Sequence, residues 1–157
     1  MKGVPRLETL EVLSVGLPFC VFKIAAGVVF RSAGGAWGTL GLVLLGLGAV
    51  DLVFNGANFA GLVLIRRRVL DACFLSFAAQ LVLAPAGKSK RTLQDFGNSA
   101  DVLISFALVA YMVGAGRLGQ LPPRLLSFWN AAVVLNVLGA GLGRFSESVR
   151  NLSTNAP

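Results

Sequence analysis

The chain from Ala36 to Ile65 reads AWGTLGLVLLGLGAVDLVFNGANFAGLVLI and holds one ionisable side chain, Asp51. A helix rises ~1.5 Å per residue, so a helix of this length would extend over ~45 Å. The hydrocarbon core of a bilayer is roughly 30 Å thick. The stretch is therefore long and apolar enough to cross a membrane, and the basic triplet at 66–68 closes it.

The composition of the whole chain is also that of a membrane protein. Of its 157 residues, 55% are apolar and 13% are charged, whereas a soluble domain carries about 25% charged residues. The net charge is +7. The charges fall between the apolar blocks, where they orient membrane segments and contact anionic headgroups rather than nucleic acid. We expect one membrane domain over residues 1–157, an all-α polytopic bundle embedded in the bilayer.

The apolar blocks outline the spans. Four are predicted at residues 12–31, 37–58, 99–116 and 125–142, with a polar tail at 143–157. Pro18 is tolerable in the first span if a neighbouring group satisfies the carbonyl that it leaves free. The turn-like sequence of residues 55–58 leaves two alternatives for the second span. Either the helix breaks and 59–65 is a separate piece, or one long tilted helix continues.

A further apolar block at 69–86 either crosses the membrane as a fifth span or lies in it as an interfacial or re-entrant helix. If it does not cross and the N-terminus is cytoplasmic, the basic residues inside are Lys2, Arg6, Arg66, Arg67, Arg68, Lys88, Lys90, Arg91, Arg144 and Arg150. Only Arg31, Arg117 and Arg124 are then outside, and the positive-inside rule favours this arrangement, with both termini cytoplasmic. A weak similarity between 74–88 and 103–117 keeps five spans open.

Polar side chains within the spans are the main functional signal. A charge near mid-bilayer costs at least ~2.5–3.5 kcal/mol on insertion scales, so it normally faces a partner or a water-filled cavity. We expect a polar track that joins Lys23, Asp51 and Asn136, with Tyr111 and Asn130 at its outer mouth. The structural alternative is a Lys–Asp pair that only holds two helices in register, with asparagines that bond between helices.

Small residues are the candidate helix contacts. Gly139 and Gly143 form a GxxxG pattern at the end of the last span. In the second span, Gly56 and Ala60, or alternatively Ala57 and Gly61, form a similar pair. Such pairs let helix backbones approach closely. We expect packing within the bundle, with contact to another chain as the alternative.

The loops contribute a basic surface. Its residues are Arg66, Arg67, Arg68, Lys88, Lys90 and Arg91. Such a cluster keeps the loop on the cytoplasmic side of the membrane and contacts anionic headgroups. The alternative is a docking site for a soluble partner.

Motifs for chemistry are weak in this sequence. There is no histidine, so imidazole-held cofactors, histidine-assisted nucleophiles and the common zinc sites cannot come from this chain. The GAGRLG at 114–119 fits the dinucleotide pattern in letters, but it follows an apolar helix rather than a strand. We expect no enzyme, no metal and no cofactor.

Two functions remain in competition. The first is an accessory or structural subunit, a scaffold of a larger membrane complex, which would associate with other membrane subunits or with itself. The alternative is an oligomeric channel or transporter for an ion or small solute, which would use Lys23 and Asp51.

Overall fold

A computed structural model of the protein describes residues 5–83 and 89–154, with the side chains of 8–83 and 89–142. Within these residues the secondary structure is helical. The elements are α1 (Pro5–Glu11), a π-helical turn (Val12–Gly16), α2 (Leu17–Ser32), α3 (Gly35–Leu64), α4 (Phe74–Leu83), α5 (Lys90–Gly114), a 3-10 turn (Arg117–Gln120) and α6 (Pro123–Thr154). The expectation of an all-α chain is confirmed.

Four helical segments are long and apolar enough to span a membrane, by length and composition. They are Glu8–Ser32, Gly35–Leu64, Lys90–Gly114 and Pro123–Leu142. Two helices extend beyond the predicted spans. The third segment begins well before residue 99, because Ser89 caps α5 by accepting the Thr92 N–H at 3.1 Å. In the last helix, residues 143–154 continue α6 rather than form a separate tail.

The long helix α3 runs through Asn55-Gly56-Ala57-Asn58 without a break. The Asn55 amide donates to the backbone carbonyl of Asp51 at 2.9 Å, so it bonds within the helix instead of opening a turn. The Asn58 side chain points away from its own backbone and bonds the chain that follows the helix. Of the two sequence alternatives, the continuous helix is the one that forms.

Pro18 lies just after the π-helical turn, and its missing N–H leaves the carbonyl of Ser14 without the usual helical donor. The side-chain amide of Asn136, on α6, donates to that carbonyl at 3.0 Å. Gly139 lies one turn further along α6, where a Cβ would overlap the Ser14 side chain. A neighbouring helix therefore satisfies the freed carbonyl, as the sequence required.

The bundle has two ends. At the N-terminal end, Arg68 after α3 bonds to Glu11 at 2.6 Å. At the distal end, the ring of Phe30 lies 5.4 Å from that of Trp37 and 5.1 Å from that of Tyr111. Since Tyr111 is near the end of α5, that helix starts at the N-terminal end.

The chain around helix α4 enters the bundle and leaves it again at the same end. It has 10 residues, and ~15 Å of helix is about half a bilayer core. The chain turns inward after Arg68, the α4 N-terminus meets the middle of α3 at Asp51, and α5 then begins at the N-terminal end again. Residues 69–83, the described part of the fifth apolar block, thus turn into the bundle from its N-terminal end, and their helix is much shorter than the four long ones.

Helices α2 and α3 approach each other closely. A Cβ on Gly41 would lie 2.7 Å from the carbonyl oxygen of Gly27 and 2.8 Å from the Arg31 Cα. Gly56 and Ala60, expected in this role, instead lie on the exposed face of α3, and nothing approaches Gly56 within 4 Å. The contact uses Gly27 and Gly41 because they lie on the facing sides of the two helices. The surroundings of Gly143 lie outside the described side chains.

Gly41→Ala should destabilise the fold by about 1–3 kcal/mol, because the added methyl group meets backbone atoms that cannot rotate away. Gly46→Ala is the matched control, since nothing lies within 4 Å of that position on the same helix. There the better helix propensity of alanine should leave stability unchanged or raise it by up to ~1 kcal/mol. Thermal unfolding of both purified variants tests this. Equal stability of the two variants would contradict the close approach.

Candidate functional site

A lysine between two carboxylates lies in the middle of the bundle. Lys23 on α2 is 1% exposed. Its ammonium group donates to Oδ2 of Asp51 on α3 at 2.5 Å and to Oδ1 of Asp101 on α5. These three residues, here called the Lys23 triad, connect three helices through buried charges.

Asp51 has a second task. Its other oxygen, Oδ1, accepts the backbone N–H of Phe74 at 2.6 Å, and Phe74 is the first residue of α4. The first N–H groups of a helix have no partner within the helix, and a negative charge there is favoured. One carboxylate therefore binds the lysine and also the first N–H of α4.

Asp101 is brought to the lysine by the packing of α5 on α4. Gly97, one turn before it, lies so close to α4 that a Cβ would approach the backbone N of Ser76 to 2.6 Å. Ser76 also donates through its hydroxyl to the Gln94 carbonyl at 3.3 Å. Only Oδ1 of Asp101 is hydrogen-bonded within the described part of the chain, so its other oxygen is free to take a ligand.

The charges of the triad do not balance. With both carboxylates ionised, one ammonium leaves a net charge of −1 in a site where Lys23, Asp51 and Asp101 are 1%, 2% and 6% exposed. Buried charge is costly unless it is paired. The N-terminus of α4 offsets part of the excess at Asp51. One further positive charge would neutralise the site.

A cavity of about 110 Å³ connects the triad to the N-terminal end. The triad is at its inner end, and the more exposed Glu11 and Arg68 also line it. Water occupies ~30 Å³ per molecule in the liquid, so the space suits a few waters or a small ion. Pockets for larger organic ligands measure about 300–1,000 Å³.

Arg68 stands at the outer end of this cavity in an ion-pair cluster. It contacts Glu11 at 2.6 Å and Glu8 at 3.6 Å. One residue of the predicted basic surface is therefore engaged with the first helix. The described remainder, Arg66, Arg67, Lys90 and Arg91, is exposed, and Lys88 lies outside the described residues.

The cavity wall formed by residues 69–73 is fixed by side-chain hydrogen bonds. The fully buried Asn58 accepts the N–H groups of Val69 and Leu70 at 3.1 and 2.8 Å and donates to the carbonyl of Asp71 at 3.0 Å. Next to it, burial raises the pKa of the Cys73 thiol to about 12. The thiol is therefore protonated and unreactive at neutral pH, and it lines the cavity as a passive wall.

The structure brings together only part of the track expected from the sequence. Lys23 and Asp51 are in contact, and Asp101 joins them although the sequence analysis did not select it. Asn136 bonds the Ser14 carbonyl instead. Asn130 is exposed on α6, and Tyr111 lies at the distal end against Phe30. Asp101 was overlooked because its position near the start of a predicted span at 99–116 reads as a boundary charge.

Lys23→Met should destabilise the protein by about 3–5 kcal/mol, because it leaves two carboxylates facing each other without a counter-charge. Adding Asp51→Asn alone should give incomplete recovery, since Asp101 would stay buried and unpaired. The triple variant Lys23→Met/Asp51→Asn/Asp101→Asn should recover most of the loss. Chemical unfolding of the purified variants measures each step. A triple variant no more stable than Lys23→Met would contradict the pairing.

No protein-family model matches the chain, and neither a curated protein nor a solved structure matches it. The role of the Lys23 triad is therefore inferred from its charges, its burial and the cavity that reaches it.

Proposed function

We propose that the chain is an integral, multi-pass membrane protein whose four long helices cross the bilayer as one bundle. The outward faces of these helices support this. Large apolar side chains on them are exposed, among them Val53 at 66% and Leu103 at 71%. Contact of such faces with lipid tails is favourable, whereas their contact with water is not. The segment at 69–83 fits the same setting as a re-entrant segment, because Asn58 and Asp51 bond backbone groups of its loop inside the protein.

The proposed orientation has both termini in the cytoplasm. The N-terminal end of the bundle then carries the basic triplet at 66–68 together with Lys90 and Arg91, in agreement with the positive-inside rule. Anionic headgroups are the natural contacts of these exposed side chains. The turns at 31–35 and 115–122 face the other side.

Single cysteines test this orientation in a variant lacking Cys20 and Cys73. A cysteine at position 120 should react with an impermeant thiol reagent in intact cells, and one at position 90 should react only after the membrane is permeabilised. The two positions flank the same helix, α5, so each controls for the other. Labelling of position 90 from outside would overturn the orientation.

For the function itself, we propose that the Lys23 triad binds a small monovalent cation, the proton included, that arrives through the cavity. The observation that carries this is the excess of one negative charge at the inner end of a path open to the N-terminal end. The hydrogen bonds indicate different roles for the two carboxylates. Asp51 is bound on both oxygens, to Lys23 and to the Phe74 N–H, whereas Asp101 has an oxygen free.

Binding at Asp101 would alter the contacts of the lysine. A cation on Asp101 competes with the ammonium for that carboxylate, so Lys23 would be drawn towards Asp51. Because Asp51 also bonds the N-terminus of α4, occupation of the site would change the contacts of the re-entrant segment. This is the arrangement of a cation-coupled channel or transporter, in which a buried carboxylate takes up the ion and a neighbouring charge responds.

A second candidate is an accessory subunit or scaffold of a membrane complex. Its support is the unused outer surface of the bundle. Gly56 and Ala60 form a small-residue face on α3 that no other part of the described chain covers, and only 11% of the apolar window of the last span is buried. Such a face suits close contact with a helix of another subunit or of a second copy. Neither candidate role involves catalysis or a cofactor.

Asp101→Asn separates the two roles, with Asp95→Asn as the matched control: Asp95 is an exposed acid on the same helix. Purified protein in liposomes should move protons or Na⁺ down an imposed gradient. Asp101→Asn should lower that flux at least about tenfold, because the variant lacks the free carboxylate oxygen charge, and Asp95→Asn should leave it unchanged.

Two outcomes would contradict the cation-binding role. One is equal flux in the Asp101→Asn and Asp95→Asn variants. The other is no flux from the wild type together with melting temperatures that do not differ between NaCl and choline chloride at equal ionic strength. Unrelated subunits that co-purify in stoichiometric amounts would then favour the accessory role.

A further inference from the structure

A second cavity lies at the distal end, on the far side of the bundle from the Lys23 cavity. Its volume is about 340 Å³. Apolar, aromatic and polar side chains share its wall. The lining residues are Val29, Phe30, Ser32, Ala33, Trp37, Tyr111, Arg117 and Gln120. The cavity is therefore built from the end of α2, the start of α3 and the turn between α5 and α6.

The charge of this cavity comes from Arg117, which is unpartnered. Its Nε is buried and has no hydrogen-bond partner in the described part of the chain. The described acids are committed elsewhere or lie at the other end. Glu8 and Glu11 bond Arg68, Asp51 and Asp101 bond Lys23, Asp71 bonds Gln94, and Asp95 is in the early turns of α5. A buried donor without a partner is costly, so an anion entering the cavity would meet the unsatisfied Nε–H of this half-buried guanidinium.

The rest of the wall is aromatic. Phe30 contacts the rings of Trp37 and Tyr111 at 5.4 and 5.1 Å between centroids, and Trp37 is 55% exposed. Tryptophan and tyrosine prefer the level of the lipid headgroups, where one part of the ring is apolar and the other is wet. A ligand that fits this wall carries an anionic group for Arg117 and an apolar part for the rings.

We propose that the distal cavity is a binding site for the phosphate of an anionic phospholipid headgroup. Arg117 would hold the phosphate, because a guanidinium presents a planar fork of donors that matches phosphate oxygens. The ring cluster of Phe30, Trp37 and Tyr111 would cover the glycerol and the first part of the acyl chains. The proposal rests on the membrane embedding proposed above, but not on cation binding at the Lys23 triad.

The position of Arg117 distinguishes it from the other basic residues at this end. Arg31 and Arg124 lie in the same pair of turns and are exposed, and neither lines the cavity. If general attraction to anionic lipid were the only effect, all three would contribute alike. A built site instead predicts that Arg117 alone governs affinity.

The test is titration of purified protein in neutral detergent with phosphatidylglycerol, phosphatidylcholine or inorganic phosphate, read as the shift in melting temperature. Phosphatidylglycerol should raise the melting temperature of the wild type and of Arg124→Gln with the same affinity within about twofold. Arg117→Gln should bind it at least about tenfold more weakly. Gln120→Glu, an exposed change that places a carboxylate in the cavity to compete for Arg117, should weaken binding similarly without lowering the stability measured in the absence of lipid.

Several results would overturn the proposal. Equal affinities of Arg117→Gln and Arg124→Gln would show general electrostatic attraction. Equal effects of phosphatidylcholine and phosphatidylglycerol would remove the anionic headgroup as the ligand, and inorganic phosphate binding as tightly as the lipid would make the ligand a free anion. If Arg117→Gln fails to fold, Gln120→Glu decides alone, and its unchanged affinity would refute the site. These lipid-binding results have the same meaning whether or not the protein moves ions in liposomes.

Discussion

The ammonium of Lys23 held between two carboxylates is the contact on which the rest of the structure depends. Through Asp51 and Asp101 it joins α2 to α3 and α5, and through the second oxygen of Asp51 it reaches the N-terminus of α4. In an apolar interior, removal of Lys23 would leave two buried carboxylates without their partner. The triad therefore links four helices, and its excess of one negative charge is the basis of the cation-binding role proposed for it.

At three irregular points of the described backbone, freed polar groups meet a side chain from another segment. The carbonyl released by Pro18 accepts Asn136, the loop after α3 is held by Asn58, and the first N–H of α4 is bound by Asp51. Unsatisfied groups of this kind cost several kcal/mol away from water. Asn58, Asn136 and Asp51 thus have structural tasks, whereas Asp101 is hydrogen-bonded through one oxygen within the described part of the chain.

The two cavities divide the polar chemistry between the ends of the bundle. The N-terminal cavity ends on carboxylates, whereas the distal cavity carries an arginine without a carboxylate among its described lining residues. Between them lies an apolar layer that includes Leu44, Leu108 and Met112. A cation bound at the triad, as proposed, would pass further only if this apolar layer opened. A lipid at the distal end would be well placed to influence that layer, because Phe30 belongs to both.

The sequence by itself determined the helical class, four segments of membrane-spanning length and the need for partners at Lys23, Asp51 and Pro18. These follow from local quantities: the length of an apolar run, the absence of charges within it and the chemistry of a single residue. Which partner each residue would find was decided only by the tertiary structure. Asp101 joins Lys23 because Gly97 lets α5 press against α4, and Asn136 bonds Ser14 rather than the triad because of the rotation of α6. Likewise Gly41 rather than Gly56 meets α2, since helix rotation depends on packing between segments and an almost uniformly apolar sequence carries little amphipathic signal to fix it.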